Sequence, residues 1–334
     1  YITDGKLKWA DMGEVYDRII IGDTHYDFKK GVGNFKKQMI AYFPDEEKAI
    51  HSYVDLIFKA VKTSKNYYIS KAVSPLWTFL FGKILKQPFY KFSDQTTYEV
   101  LRKLTTNERL IKVLTAQYGD YGLPPKRSSF AMHASVVRHY FDGGSFPVGG
   151  SSQIVKTIDP IVTKAGGTIL VSADVENVII ENNTAVGVQM KDGSQFHAKN
   201  IVSNAGIMTT YNKLIPQKII EKHHFKKQLQ KVKRSVSHAS LYIGLDGSPE
   251  ELGIPKCNYW VYPEKGDHDR CVENYLEDLS QPFPLVYLSF PSAKDPDWSN
   301  RYPGKSTIDV ITLIPYETFE AWKNTPWKKR GDDY

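Results

Sequence analysis

The positions best suited to chemistry in this chain lie in two loops of small residues and on one aromatic helix. The stretch Phe141-Asp-Gly-Gly-Ser-Phe-Pro-Val-Gly-Gly-Ser-Ser152 carries glycine pairs at 143–144 and 149–150. Glycine reaches positive φ and lets another group approach the backbone closely. Ser151 or Ser152 can cap a helix that follows. A second loop, Asn200-Ile-Val-Ser-Asn-Ala-Gly206, leads from an apolar run into a tip of small residues. His133 and Tyr140 could give or take a proton, although packing accounts for both equally well.

Other chemistries are excluded by what is missing. There is no Gly-x-Ser-x-Gly elbow, no His-Glu-x-x-His pair and no phosphate-binding Gly-Lys-Ser/Thr loop. Gly31-Val-Gly33 lacks the third glycine of a dinucleotide fingerprint and follows no buried strand. The nine histidines are dispersed, and His133 and His139, six apart, do not share a helix face. The two cysteines, Cys257 and Cys271, support neither a disulfide scaffold nor a zinc site. No metal is expected, and a reducing compartment is favoured.

The elements that must hold these loops follow from periodicity. Asp17–Ile21 and His25–Phe28 flank Gly22-Asp23 as a hairpin. A helix over Asp45–Lys65 is marked by Ile50, Val54, Ile57, Phe58 and Val61, and further helices are expected at Asp94–Leu104, Thr106–Tyr118 and Arg127–Tyr140. After the first glycine loop, a helix should bury Ile154, Val155, Ile158, Ile161 and Val162, kink at Pro160 and stop at Gly166-Gly167. A β-meander is expected next, with strands at Thr168–Ser172, Val175–Glu181, Ala185–Met190 and Ser194–Ala198, turned by Asn182-Asn183 and Asp192-Gly193. The run from Asn200 to Gly206 reads as a short buried strand entering its loop. A basic helix over Tyr211–Lys233 follows, then strands at Ser237–Leu245, Asn258–Tyr262, Leu285–Phe290 and Ser306–Ile314, and a helix near Tyr316–Lys323.

Composition agrees with two globular domains. The 334 residues are 41% apolar and 13% aromatic, with 44 Lys+Arg against 37 Asp+Glu. Such a balance excludes disordered and fibrous classes. Its basic residues fall in short clusters separated by acids, outside any RNA-binding or zinc-finger pattern, so no nucleic-acid partner is expected. The most apolar stretch, Pro75–Leu85, is interrupted by Lys83 and too short to span a bilayer. With Trp77 and the flanking Lys71, Lys86 and Lys91 it reads either as a buried helix or as a membrane-surface contact. Tyr1 in place of Met, and Asp332 placed like a helix cap with no helix after it, lead to the expectation of an internal fragment.

Taken together, the glycine loop, proline-containing helix, meander and Ser203-Asn-Ala-Gly206 loop resemble the flavin-dependent phytoene desaturase and carotenoid isomerase family. The likeness rests also on Tyr121-Gly-Leu-Pro-Pro125, Ser129-Phe-Ala-Met-His133, His139-Tyr140, Ala165-Gly-Gly167 and Lys329-Arg-Gly-Asp-Asp-Tyr334. Its most specific parts are Phe290-Pro-Ser-Ala-Lys-Asp-Pro296 and Arg301-Tyr-Pro-Gly-Lys-Ser-Thr307.

The resemblance implies an α/β fold: a Rossmann-like FAD/NAD(P)-binding domain, partly missing, interleaved with an α+β substrate domain of mixed sheet and helices. Residues 1–146 and 207–334 would form the substrate domain, and 147–206 the middle of the FAD-binding domain. It implies that Gly149 and Gly150 approach the flavin ring, that Val175 faces the adenine side through its backbone, and that Asn204, Ala205 and Gly206 line the flavin loop. The family's N-terminal Gly-x-Gly-x-x-Gly loop is not in this sequence, so the chain by itself is expected not to hold FAD tightly.

The activity implied is FAD-dependent redox chemistry on a C=C bond of an apolar polyene or retinoid. NAD or NADP is a conceivable electron source. Saturation of a double bond, carotenoid desaturation or isomerisation, and a non-catalytic lipid- or membrane-binding module all remain open. The implied location is membrane-associated: the endoplasmic reticulum for a eukaryotic member, the cytoplasm or inner membrane for a bacterial one.

Overall fold

A computed structural model describes residues 2–232 and 237–331, with residues 75–81 described in backbone only. In chain order the elements are β1 (Trp9–Asp11), β2 (Val15–Ile21), β3 (Thr24–Lys29), α1 (Val32–Tyr42), α2 (Glu47–Ala72), α3 (Pro75–Ser93), α4 (Thr97–Arg102), α5 (Glu108–Leu114), α6 (Phe130–Tyr140) and β4 (Ser145–Pro147). Then come α7 (Ser152–Lys164), β5 (Val175–Glu181), β6 (Thr184–Met190), β7 (Gln195–His197), α8 (Ile207–Thr209), α9 (Gln217–Lys222) and α10 (Phe225–Leu229). The last part holds β8 (Ser237–Asp246), β9 (Asn258–Tyr262), α11 (His268–Glu277), β10 (Val286–Ser289), α12 (Pro291–Lys294), α13 (Trp298–Arg301) and β11 (Lys305–Ile314). Packing divides the chain into Tyr1–Thr157 with Val236–Tyr334, and Ile158–Ser235.

The larger unit is built on a six-stranded mixed sheet ordered β3-β2-β9-β10-β11-β8. Strands β2 and β9 are parallel and all other neighbours antiparallel. A bulge between Val15 and Asp17 turns both Tyr16 and Asp17 inward, and alternation then buries Ile19 and Ile21. Helices cover the β3-β2-β9 part of one sheet face. Phe35 and Met39 of α1, Ile50, Tyr53, Val54 and Ile57 of α2, and Phe130, Ala134 and Val137 of α6 join Ile19, Phe28 and Trp260 in one core. Side chains three and four apart on α2 meet this core because a helix turns every 3.6 residues. Caps fix the connecting turns: Thr96 and Glu99 form a capping box on α4, and the Asn107 side chain accepts from the Leu110 amide at 3.0 Å.

The hairpin, the α2 start and the four late strands lie where periodicity puts them. α2 runs on to Ala72, beyond the expected Lys65, leaving Tyr68 and Ile69 exposed. Pro75–Leu85 forms the first part of α3, and the side chains of Trp77 and Phe81 lie outside the described residues. So does Asp332.

The smaller unit holds the antiparallel sheet β5-β6-β7. Asn182 and Asn183 both take positive φ in its first turn. Three expectations fail here. Thr168–Ser172 and Asn200–Gly206 form no strand: no described strand pairs with them, and Val171 and Val202 are 86% and 92% exposed. An apolar run becomes a strand only where a neighbour takes its backbone hydrogen bonds. The helix expected over Tyr211–Lys233 breaks into a π-turn, α9 and α10, because Pro216 offers no amide and His224 adopts φ 56°. Its end at Lys233 lies outside the described residues.

The helix α7 also departs from expectation. It runs through Pro160, and none of its residues is fully buried; Ile154 and Val155 are exposed, while Ile158, Ile161 and Val162 are half-buried. Amphipathic periodicity marks a face suited to burial without supplying what covers it.

Candidate functional site

Antiparallel pairing puts Trp260, Tyr287, Ile311 and Ser240 opposite one another across β9, β10, β11 and β8, all on one face of the large sheet. Two residues further along the same strands stand Ser289, Asp309 and Tyr242, and beyond them Thr307 and Gly244. In the other direction Leu313 faces His238. Alternate residues share a face, so this half of the sheet continues the face that the helices cover over β3, β2 and β9. Here it is open.

Two cavities lie end to end on it. One, of about 440 Å³, is lined by Gly119, Asp120, Trp260, Leu285, Tyr287 and Ile311 among others. The second, of about 580 Å³, is bounded by Phe146, Gly149, Gly150, Tyr242, Ser289 and Asp309 among others. Along β11 they extend from Leu313 to Thr307, about 20 Å at 3.3–3.4 Å per residue. The trough they make is apolar at the Trp260–Leu313 end and polar where it reaches the first glycine loop, at Ser289, Asp309 and Arg301. Gly119 has no room for a side chain: a Cβ there would stand 2.7 Å from the Trp260 ring and 2.8 Å from Leu285.

The glycine loop is held from the far end of the chain. The Gly149 amide donates to Asp295 Oδ1 at 2.9 Å, and the Asp297 amide donates to the same oxygen at 3.0 Å. The other oxygen, Asp295 Oδ2, pairs with Arg301, whose Nε also reaches Asp297 at 3.2 Å. The Asp295 side chain is fully buried. A buried carboxylate with this set of donors and a guanidinium partner is a rigid anchor. Gly149 and Gly150 take φ 87° and 86°, and a Cβ on Gly150 would meet nothing closer than Arg301 at 3.9 Å.

Beneath the cleft, Asp17 accepts from Gln117 Nε2 at 2.7 Å and from Asn258 Nδ2 at 2.8 Å. Lys294 donates to Asn258 Oδ1 and, at 2.6 Å, to Ser289 Oγ, with its ammonium 6.0 Å from the Phe146 ring centroid. Burial pushes the Lys294 ammonium down to about 8 against the opposing pull of Asp17 and Asp309. Burial also raises the Asp309 carboxyl.

Asp120 is open to the first cavity. Its surroundings are the apolar walls of Trp260 and Leu285. Asp120 is itself exposed at the cavity mouth; the protein atoms crowded on its inner side, then the charge of Asp17, raise its carboxyl to about 7. Tyr140 stacks on Tyr16 at 5.5 Å, and burial raises its phenol well above the ordinary range.

Gly149 and Gly150 line the second cavity. Tyr140 lines neither cavity. His133 is fully buried in the helical core, with Nε2 2.8 Å from Tyr53 Oη and Nδ1 3.0 Å from Tyr121 Oη. Burial lowers its pKa to about 3, so it is a neutral hydrogen-bonding spacer at ordinary pH. In the smaller unit, Val175 opens β5 opposite Met190, and Asn204, Ala205 and Gly206 form an exposed turn before α8. There Gly206 has φ 81° and open space at its Cβ position.

Asp120, Trp260, Tyr287 and Asp309 were not identifiable from spacing, because strand register across distant segments brings them together. Lys294, Asp295 and Arg301 did carry a signal: they stand in the two most family-specific stretches, and the structure supplies their roles. Among the described residues no cluster of His, Cys, Asp and Glu could hold a metal ion.

No family model matches the chain. Over all of its residues it is 34% identical to the all-trans-retinol 13,14-reductases of Danio rerio and Homo sapiens, and it spans 57% of the length of each. A second Danio rerio protein, described as an inactive all-trans-retinol 13,14-reductase, is 33% identical with the same coverage. Prolycopene isomerase 1 of an Oncidium hybrid is 23% identical over 89% of the chain and 49% of its own length. Among solved structures, an oxidoreductase from Methanosarcina mazei shares the fold at TM-score 0.56 and 12% identity, over 95% of this chain and 64% of that one. Over its whole length this chain is thus similar to the all-trans-retinol 13,14-reductases and, more distantly and over 89% of it, to a prolycopene isomerase, in agreement with the resemblance its motifs carry.

Proposed function

We propose that this protein is an FAD-dependent oxidoreductase acting on a C=C bond of an apolar polyene, in the manner of a retinol 13,14-reductase. The observation that carries this reading is the trough on the open sheet face, apolar at Trp260, Leu285 and Ile311, that ends at Gly149-Gly150. The loop fits a flat cofactor because both glycines hold positive φ and a Cβ on Gly150 would project into open space. Gly149, Gly150, Val175, Asn204, Ala205 and Gly206 are the residues that would hold FAD, with 147–206 as part of its domain and 1–146 and 207–334 as the substrate domain.

When bound, FAD supplies hydride exchange, with NAD or NADP as one source of electrons. The chain's own contribution is placement. Trp260, Leu285 and Ile311 remove water from a long apolar substrate, Asp295 and Arg301 fix the glycine loop, and Asp309 on the cleft wall is the nearest exchangeable proton to that loop's cavity, with Lys294 buried beneath.

Membrane contact belongs to the same reading. Among the described residues no helix is long and apolar enough to cross a membrane. The end of α2 and the course of α3 instead expose Tyr68, Ile69, Val73 and Ile84 beside Lys65, Lys71 and Lys83, a composition suited to a lipid interface.

The test supplies flavin-loaded full-length protein and a reductant with all-trans-retinol or with a poly-cis carotene. A 13,14-dihydro product supports the proposal. Carotene isomerisation with no retinoid reduction moves the assignment to the isomerase reading, which the prolycopene isomerase likeness favours. Bound flavin with neither product would leave a non-catalytic lipid-binding module, the reading favoured by the relative described as inactive.

A further inference from the structure

We propose that Asn182 is a site of N-linked glycosylation: its side-chain amide, at the tip of the β5–β6 hairpin, takes an oligosaccharide on the lumenal side of a secretory membrane.

The sequence holds a single Asn-x-Ser/Thr triplet, Asn182-Asn183-Thr184, with no proline at its centre or after it. The fold sets this triplet on a two-residue turn. Glu181 of β5 pairs with Thr184 of β6, and between them Asn182 and Asn183 take φ 47° and 66°. That is the left-handed pair a tight hairpin needs. All four residues from Glu181 to Thr184 are exposed, and an exposed turn tip is open to a modifying enzyme.

The two asparagines are not equivalent. Asn183 Oδ1 lies 2.8 Å from His223 Nε2 and 3.3 Å from Lys222 Nζ, so its amide is tied to the end of α9. Among the described residues no side-chain hydrogen bond engages Asn182 or Thr184. The acceptor amide and the hydroxyl two residues on are therefore both free, and only the central residue is held. Turn geometry asks for Asn, Asp or Gly at 182 and 183 and makes no demand at 184. The hydroxyl there is what turns a hairpin tip into an acceptor.

In the transfer, Asn182 Nδ2 attacks C1 of a lipid-linked oligosaccharyl diphosphate. The Nδ2–C1 bond forms, the C1–O bond breaks, the diphosphate leaves with the electron pair and one amide proton passes to the transferase. Nothing is oxidised or reduced. A bulky, solvated glycan is tolerated where the side chain buries no surface. The two cysteines, Cys257 and Cys271, are buried, and a buried thiol is inert enough to remain free in an oxidising lumen. None of this depends on the redox reading of the cleft.

The experiment produces the full-length protein in cultured insect cells and treats it with peptide-N-glycosidase in heavy-oxygen water, which converts a glycosylated Asn into labelled Asp. Peptide mapping is expected to find labelled Asp at position 182 in most molecules. Asn182→Gly, which keeps the positive φ of the turn, and Thr184→Ala should each remove one glycosidase-sensitive step from the gel mobility of wild type. Asn183→Gly should leave that step in place. An unlabelled Asn182 in wild type overturns the proposal, and so does a mobility unchanged by both Asn182→Gly and Thr184→Ala.

Discussion

The backbone amide of Gly149 and the carboxylate of Asp295 meet at 2.9 Å although 146 residues separate them in sequence. This contact ties the glycine loop to the β10–β11 connection, and Arg301 locks its other end. The two most specific stretches of the sequence therefore act on the loop whose glycines define the cleft.

Asp295→Ala should destabilise the protein by about 2–4 kcal/mol, because it leaves two amide donors unpaired and removes the buried partner of Arg301, which keeps only Asp297. Urea denaturation measures this. Amide exchange of residues 147–151 should accelerate in the variant, and a loss below about 0.5 kcal/mol with unchanged exchange would remove Asp295 as the anchor.

Acid should destabilise the protein before its ordinary carboxylates titrate. His133 and His268 are buried, and burial holds both near 3. The unfolded chain, with histidines near 6.5, binds more protons between those values, so this stability is present above pH 6.5 and is lost as pH falls toward 3. Each histidine accounts for about 2 kcal/mol of loss between pH 7.5 and 5. His133→Gln, which can still bond Tyr53 and Tyr121, should flatten the slope of unfolding free energy over that range. An unaltered slope would show that His133 carries a proton in the folded state.

Asp120 should act with the opposite sign. Its folded pKa is raised from 3.8 to about 7, by the protein atoms crowded on its inner side first and by the charge of Asp17 second, so the folded state binds more protons in between. Stability contributed by the neutral form is present below pH 4 and is lost as pH rises through 7. Of the groups around it, the Asp17 carboxylate adds to this direction, while Tyr140, Tyr262 and Tyr287 are neutral phenols over this range. Asp120→Asn should raise the melting temperature at pH 8 and leave it unchanged at pH 4. A lower melting temperature at pH 8 would mean that the carboxylate form is stabilised.

Membrane association should depend on the α2–α3 surface. In liposome flotation with anionic vesicles, Tyr68→Ser combined with Ile84→Ser should reduce the bound fraction severalfold. Trp77→Ala and Phe81→Ala test the same segment. Unchanged flotation of all variants would count against an interfacial role.

Much of the large unit is readable from periodicity. Ile50, Val54 and Ile57 mark the buried face of α2, and the alternation around Asp17–Ile21 and Asn258–Tyr262 marks central strands. The parallel pairing of β2 with β9 is not readable, because hydrophobic alternation says which face is buried and nothing about which strand lies alongside. The errors in the smaller unit have the same origin. Thr168–Ser172, Asn200–Gly206 and the apolar side of α7 have sequences suited to burial, while the described residues leave the first two almost wholly exposed and cover α7 only in part.

The sequence by itself carried the family resemblance, through short motifs, and the local rules: where glycine permits positive φ at 149, 150 and 206, where caps start helices, and which helix faces are apolar. Only the tertiary structure decided that Asp295 and Arg301 hold Gly149, that Asn258 links Lys294 to Asp17, and that Asp120 and Trp260 line one cavity on an open sheet face. Strand register sets these relationships. It places residues a hundred or more positions apart on one rung, as with Asp17 and Asn258, and only burial in that shared setting raises the Asp17 carboxyl.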